Sequence, residues 1–148
     1  MELKKELENS LKDAMRASDD VKRRTLRMVL ASSKMAEIEK GSPLDDQAMM
    51  AIIQKEIKSR RESIQDAQKA NRTDLESAAL AEIVILESYL PTPFTEIELQ
   101  DLVKVVITEI GAAGPADIGR VIKAVIPHVQ GRAAGDKVSQ TVKAALQK

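Results

Sequence analysis

The chain has 148 residues, of which 31% are charged, and 23 basic residues balance 23 acidic ones. This balance excludes attraction to nucleic acid or an anionic membrane through net charge, so such binding needs a local patch. The absence of cysteine excludes disulfides, thiolate metal sites and thiol catalysis. No apolar run approaches the roughly 20 residues of a membrane span, and the stretch "MELKKELENSLKDAM" lacks the apolar core that a signal peptide needs. We therefore expect a cytoplasmic protein with no membrane partner.

Apolar residues follow helical spacing through the first 90 residues. Ser42 with Pro43 predicts the start of a third helix, and Asn71 with Asp74 predicts the start of a fourth. The sequence thus predicts an N-terminal helical domain of about four helices over residues 1–90. The expected inward stripes are Leu3, Leu7, Leu11 and Met15; Val21, Met28, Val29 and Met35; Met49, Ile53, Ile57 and Ile64; and Leu75, Ala79, Ile83, Leu86 and Leu90.

The segment "YLPTPFTEIE" interrupts the helical pattern, because its two prolines cannot continue a helix. Thr95 and Glu98 then form a capping box that starts a new helix. We expect Gly111 and Gly131 to end helices in left-handed geometry and Pro115 to begin one. The result is a small three-helix C-terminal domain over residues 95–148, in an all-α fold without a sheet. Its expected inward residues are Leu99, Leu102, Val103, Val106 and Ile110; Ile118, Val121, Ile122, Val125 and Ile126; and Val138, Val142, Ala145 and Leu146.

Few residues offer chemistry. His128 is the only histidine, and the nearest acidic residues, Asp117 and Asp136, are eight or more positions away, so we interpret it as a helix-end residue. The glycines of "GAAGPADIG" and "GRAAG" do not match a phosphate-binding motif. Helix starts near residues 115 and 136 remain an alternative way to hold an anion. We expect no catalytic residue, no cofactor and no metal site.

Basic residues gather in two places in the N-terminal part, at Lys22 to Arg27 and at Lys58 to Arg61. Acidic residues such as Asp20 and Glu56 are interleaved with them. Internal ion pairs are therefore favoured over a track for phosphates.

Four phrases of the sequence, "LRMVLASSKMAEIE", "KEIKSRRESIQDAQKANRTDL", "EIVILESYLP" and "ADIGRVIKAVIPHVQGRAAGDKV", together resemble the YqeY-like family. That family is related to the tail domain of the B subunit of tRNA-dependent amidotransferases. The resemblance implies an all-α fold with a helical N-terminal part and a three-helix tail-like part. It also implies a tail that helps to hold misacylated tRNA and carries neither the kinase nor the glutaminase chemistry.

The function that this resemblance implies is a non-catalytic accessory or binding module linked to tRNA or aminoacyl-tRNA metabolism. The candidate nucleic-acid-binding residues are Arg120, Lys123, Arg132 and Lys137, where positive charge can meet a phosphate backbone. One departure from the family pattern is Ala134, which replaces the usual Asp or Asn. The cap of the last helix is then expected from Gly135 or Asp136.

Two alternatives stay open. The chain could be a helical interaction module that docks to an amidotransferase or an aminoacyl-tRNA synthetase, or that self-associates through its N-terminal helices. Met and Ala on its helical surfaces favour this interpretation, since Met adapts to varied partners. The resemblance alone also implies a carbon–nitrogen ligase with glutamine as amido donor, but the sequence has no counterpart of the cysteine nucleophile or the Ser–Ser–Lys machinery. The oligomeric state is left open.

Overall fold

A computed structural model describes residues 2–147, and every regular element in that range is a helix. The all-α prediction is therefore confirmed for the described chain. Among these residues, no helix is long and apolar enough to cross a membrane. The helices are α1 (Glu2–Arg16), α2 (Asp20–Lys40), α3 (Asp46–Lys69), α4 (Thr73–Glu87), α5 (Glu96–Ile110), α6 (Ile118–Val129) and α7 (Gly135–Leu146), with a 3₁₀ turn at Pro115–Asp117 before α6.

The described chain divides after Leu90 into two compact units. The N-terminal unit contains α1 to α4, and its core is built from aliphatic side chains on all four helices and from Leu44, which plugs the connection between α2 and α3. Its buried members are Leu3, Leu7, Leu26, Val29, Leu44, Met49, Ile53, Ile57, Ile83 and Leu86.

Two predicted helix starts in this unit are wrong. Ser42 does not begin α3, because the Asp45 carboxylate accepts the Ala48 N–H at 2.8 Å and caps a helix that begins three residues later than expected. Asn71 does not cap α4 either. It adopts left-handed geometry, with φ +53°, just beyond α3, and Arg72 takes the cap position of α4 without a side-chain hydrogen bond. A short polar residue suits both roles, so sequence alone did not separate them.

Part of the predicted stripe on α2 is also wrong. Met28 and Met35 are exposed, as are Met15 on α1 and Leu75 on α4. The buried face of α2 instead combines Leu26 and Val29 with two small hydroxyl residues, Thr25 and Ser33. Both hydroxyls donate to backbone carbonyls of their own helix, Thr25 to Val21 at 2.8 Å and Ser33 to Leu30 at 2.7 Å. Burial therefore leaves neither group unsatisfied.

The C-terminal unit packs α5, α6 and α7 around a core of valine and leucine. Its buried members are Leu99, Val103, Val106, Val121, Val125, Val129, Val138, Val142 and Leu146. Valine at i, i+4 and i+8 on α6 sets the inward face. Ile126 was predicted to face inward, but it lies off this row and is exposed.

The ends of these helices follow only part of the predicted signals. Gln130 rather than Gly131 is the left-handed cap of α6, and Pro115 begins the 3₁₀ turn rather than α6 itself. The capping box is confirmed, since Thr95 accepts the Glu98 N–H at 3.1 Å and Glu98 accepts the Thr95 N–H at 3.3 Å. Gly111 ends α5 with φ +68° as expected. The predicted cap of α7 at Gly135 or Asp136 is wrong, because Ala134 takes that position and supplies no side-chain hydrogen bond. Extended backbone at residue 134 is all that the start of α7 requires.

Candidate functional site

A groove of about 460 Å³ lies in the C-terminal unit between α5, α7 and the segments that precede these two helices. Three basic side chains line it, Lys104, Arg132 and Lys137, together with Glu96 and Gln100. Small residues keep it open where the helices approach. These are Ala133, Ala134, Ala144 and Ala145. The groove is therefore an open cleft with a mostly apolar lining, along which three cations and one carboxylate are placed.

Arg132 anchors one end of the groove. Its Nε donates to the Thr92 carbonyl at 2.8 Å, and its guanidinium carbon lies 4.0 Å from the centre of the Phe94 ring. The Phe94 N–H in turn donates to the Arg132 carbonyl at 2.8 Å. These contacts tie the proline-containing segment that precedes α5 to the turn between α6 and α7. One terminal nitrogen also lies 3.6 Å from a Glu98 carboxylate oxygen, so Arg132 has a structural role of its own.

Lys104 and Lys137 are held less tightly. The Lys137 ammonium lies 3.8 Å from the Glu96 carboxylate, and both side chains are exposed. An exposed pair at this distance contributes little, because water screens the charges and both side chains keep their freedom. Lys104 is exposed and makes no ion pair with any residue that the structure describes. Both ammonium groups can therefore turn towards an incoming anion.

The other two predicted cations do not line this groove. Arg120 and Lys123 are exposed on α6, where Arg120 lies 3.4 Å from Asp117 of the preceding turn. The structure thus brings Arg132 and Lys137 together and leaves Arg120 and Lys123 elsewhere on the unit. An RNA-binding role stays a prediction for all four residues.

Lys104 is the groove residue that sequence reasoning missed. A signal was present, because Glu96, Gln100 and Lys104 recur every four residues and so share one face of α5. What the spacing could not supply was the partner of that face. Only the packing of α5 against α7 brings Lys104 and Lys137 into the lining of one groove.

The N-terminal basic clusters form ion pairs, as predicted. Arg60 is buried, with 6% of its surface exposed, and its guanidinium bridges Glu56 at 2.6 Å and Glu82 at 2.8 Å. Arg24 also reaches Glu82, at 3.0 Å. Glu56 was expected as a partner from its spacing, whereas Glu82 is supplied by α4 and was missed. These arginines are therefore bound to carboxylates within their own unit.

His128 is exposed in the last turn of α6 and makes no hydrogen bond with a described residue. Among residues 2–147, no group of three or more His, Asp or Glu side chains has the arrangement of a metal site. The chemistry that the groove offers is the binding of an anion by ammonium and guanidinium groups.

Fold and site together define an all-α protein with a four-helix N-terminal unit and a small C-terminal unit that carries a basic groove. The model of the YqeY-like proteins matches residues 4–146. The chain therefore belongs to the YqeY-like family.

The chain is similar to several curated proteins that share one name, altered inheritance of mitochondria protein 41, mitochondrial. The protein of Lachancea thermotolerans is 35% identical over 74% of this chain and 60% of its own length. That of Vanderwaltozyma polyspora is 38% identical over 57% of this chain and 46% of its own length. The match with the Pyrenophora tritici-repentis protein has 32% identity and covers 86% of this chain and 71% of that protein. The chain thus spans about half of the length of the first two relatives.

The expected cytoplasmic location is wrong by this comparison, because the relatives are named as mitochondrial proteins. The expectation was based on balanced charge and on the lack of a secretory pattern. Balanced charge and the lack of a secretory pattern do not separate one aqueous compartment from another.

Proposed function

We propose that this protein is a non-catalytic binding module of tRNA or aminoacyl-tRNA metabolism, and that its C-terminal unit holds an RNA phosphate backbone. The convergence of Lys104, Arg132 and Lys137 on one groove carries this proposal. Membership of the YqeY-like family supports it through the family's relation to the amidotransferase B-subunit tail. In this proposal, residues 95–148 are the tail-like domain.

The groove suits a phosphate backbone better than an unpaired base. Phosphate oxygens accept from ammonium and guanidinium groups, and such contacts position RNA without reading its sequence. A stacked base needs an exposed aromatic face, and the Phe94 ring is already covered by the Arg132 guanidinium. The interaction of Lys137 with Glu96 is weak enough for a phosphate to replace it. Binding should therefore depend on salt and discriminate little between tRNA sequences.

A filter-binding assay with bulk tRNA over a salt series tests the proposal. The variant Lys104→Ala/Lys137→Ala removes two exposed cations from the groove, and Arg120→Ala/Lys123→Ala removes two from α6, so the net charge of the two variants is matched. Arg132 is left in place because it holds Thr92. The groove variant should weaken binding and lower the salt slope by roughly one per lost contact.

The control variant should retain the slope of the parent protein. Absence of binding at low salt would rule out the proposed function. A control variant that loses as much binding as the groove variant would rule out the groove as the contact surface. The proposal assigns binding and not turnover to this chain, so a glutaminase assay on the purified protein should be negative.

A further inference from the structure

Helix α2 presents a second apolar stripe to solvent, separate from its buried face. Met28, Met35 and Ile38 are 47%, 65% and 72% exposed, and Ala31 between them is exposed as well. Their spacing is three, four and three residues, which is the a and d pattern of a coiled-coil seam. At 1.5 Å per residue, the stripe runs for about 15 Å along the helix.

The stripe lies across α2 from most of the face that packs into the N-terminal unit, and its first residue, Met28, borders that face and accepts from the Arg60 guanidinium through Sδ at 3.4 Å. Thr25, Leu26, Val29 and Ser33 form that inner face and are buried. Successive residues of an α-helix are rotated by about 100° around its axis. Met35 is therefore roughly 160° from Ser33 and about 180° from Leu26. Four apolar side chains in a row on an outer helix face, with no polar residue among them, mark an interaction surface rather than scattered exposure.

We propose that this stripe is a homodimer interface, in which α2 of one copy pairs in parallel with α2 of a second copy. The charges beside the stripe select this partner. If Met28 and Met35 are a positions, Lys34 is a g position and Glu39 is the following e position, five residues later. In a parallel pair these two positions meet across the seam, so Lys34 of each copy pairs with Glu39 of the other and two symmetric ion pairs form.

Both charged groups are available for that pairing. Lys34 and Glu39 are exposed, and neither makes an ion pair with a described residue. An antiparallel pair would instead bring Lys34 of the two copies towards each other and lose the match. Because the seam covers only about one and a half heptads, the interface is small and we expect a weak, concentration-dependent dimer.

Sedimentation velocity on the full chain over a concentration series tests the dimer. The mass should rise from 16.2 kDa towards twice that value as concentration increases. Met35→Glu places two carboxylates at the centre of the seam and should hold the protein at the monomer mass. Val84→Glu is the matched control, since Val84 is 68% exposed on α4, outside the stripe, and this variant should dimerise like the parent. Unchanged far-ultraviolet circular dichroism in both variants verifies that the helices are intact.

Cysteine cross-linking tests the parallel arrangement. The natural chain has no cysteine, so a single introduced thiol reports on one position. In a parallel pair, the two copies of an a position face each other within the roughly 4.4–6.8 Å Cα separation that a disulfide needs. Met35→Cys should therefore form a disulfide-linked dimer on mild oxidation, and Val84→Cys should not.

Exchanging the charges at positions 34 and 39 distinguishes the proposed ion pairing from non-specific association. Lys34→Glu and Glu39→Lys should each weaken the dimer, and the double variant should restore it. A protein that stays monomeric throughout, a dimer that Met35→Glu leaves intact, or equal cross-linking at positions 35 and 84 would each overturn the proposal. Failure of the double variant to recover association would overturn the parallel pairing.

Discussion

The buried Arg60 makes the most direct prediction about stability. Arg60→Ala leaves the carboxylates of Glu56 and Glu82 without the guanidinium that bridges them. Breaking a buried pair by removing one partner costs about 3–5 kcal/mol. Some compensation remains, because Arg24 still reaches Glu82 at 3.0 Å and the Ser32 hydroxyl still donates to Glu56 at 3.1 Å. We therefore expect a loss of about 3 kcal/mol, at the lower end of that range.

The neighbouring residue supplies the control. Arg61 pairs with Glu87 at 2.9 Å, but both side chains are half exposed or more, so Arg61→Ala should cost less than about 1 kcal/mol. Urea unfolding followed by tyrosine fluorescence measures both variants. Tyr89 is the only tyrosine, the chain has no tryptophan, and Tyr89 packs against the core of the N-terminal unit. For a slope of about 1.5 kcal/mol/M, the Arg60→Ala midpoint should fall by about 2 M urea.

A third variant separates the lost ion pairs from lost packing. Arg60→Met combined with Glu56→Gln and Glu82→Gln removes the charges together, and it should be more stable than Arg60→Ala because no buried carboxylate is left unpaired. An Arg60→Ala midpoint equal to that of Arg61→Ala would refute the reasoning. It would mean that the carboxylates around Arg60 are hydrated as well as those at the surface.

Three further predictions concern local features. The hydrogen bond between Lys4 and Glu37 lowers the pKa of Glu37 below its ordinary value of 4.5 and raises the pKa of Lys4 above 10.5. The stabilisation from this bond should therefore be present at neutral pH. It should fade as the pH falls below 4.5 and as the pH rises above 10.5. The difference in urea midpoint between the parent and Glu37→Gln, measured against pH, should therefore shrink at both extremes, and a constant difference would contradict this. Gly111→Ala should lower the free energy of unfolding by about 1–2 kcal/mol, because φ is +68° at this position; no neighbour lies within 4 Å to add a clash. Gly119→Ala, inside α6, should raise the free energy of unfolding by about 0.5–1 kcal/mol. Calorimetric scans measure both variants. Thr95→Ala removes the capping box of α5 and should lower the free energy of unfolding by about 1 kcal/mol in a thermal unfolding experiment. Thr95→Ser keeps the hydroxyl and should be close to the parent. An equal loss in both variants would be evidence against capping.

The helices could be predicted because aliphatic residues recur at helical spacing in every segment. Local stop and start signals also succeeded where they depend on neighbouring residues alone, as in the capping box at Thr95 and the left-handed Gly111. The predicted start of α3 failed because several polar residues compete within a few positions, and Asp45 rather than Ser42 completes the hydrogen bond. Local chemistry therefore identified the elements better than it identified their ends.

Features that depend on which helices pack together could not be predicted from the sequence. Met35 and Val29 are both apolar, and only tertiary packing decides that Val29 is buried and Met35 is exposed. Lys104 was missed for the same reason, because it lines the groove only where α5 packs against α7. Glu82 completes the Arg60 cluster from a position 22 residues away, a separation that no helical spacing rule covers.

The Arg132 anchor has a consequence for folding kinetics. Its contact with Thr92 joins positions 40 residues apart, about two thirds of the length of the C-terminal unit. Closing a flexible loop of that length costs about 3 kcal/mol of chain entropy. The contacts between successive helices span shorter loops and can form first, so the anchor closes only after they have shortened the effective loop. Arg132 then acts as a latch on the finished unit, and its loss should speed unfolding while leaving the folding rate nearly unchanged.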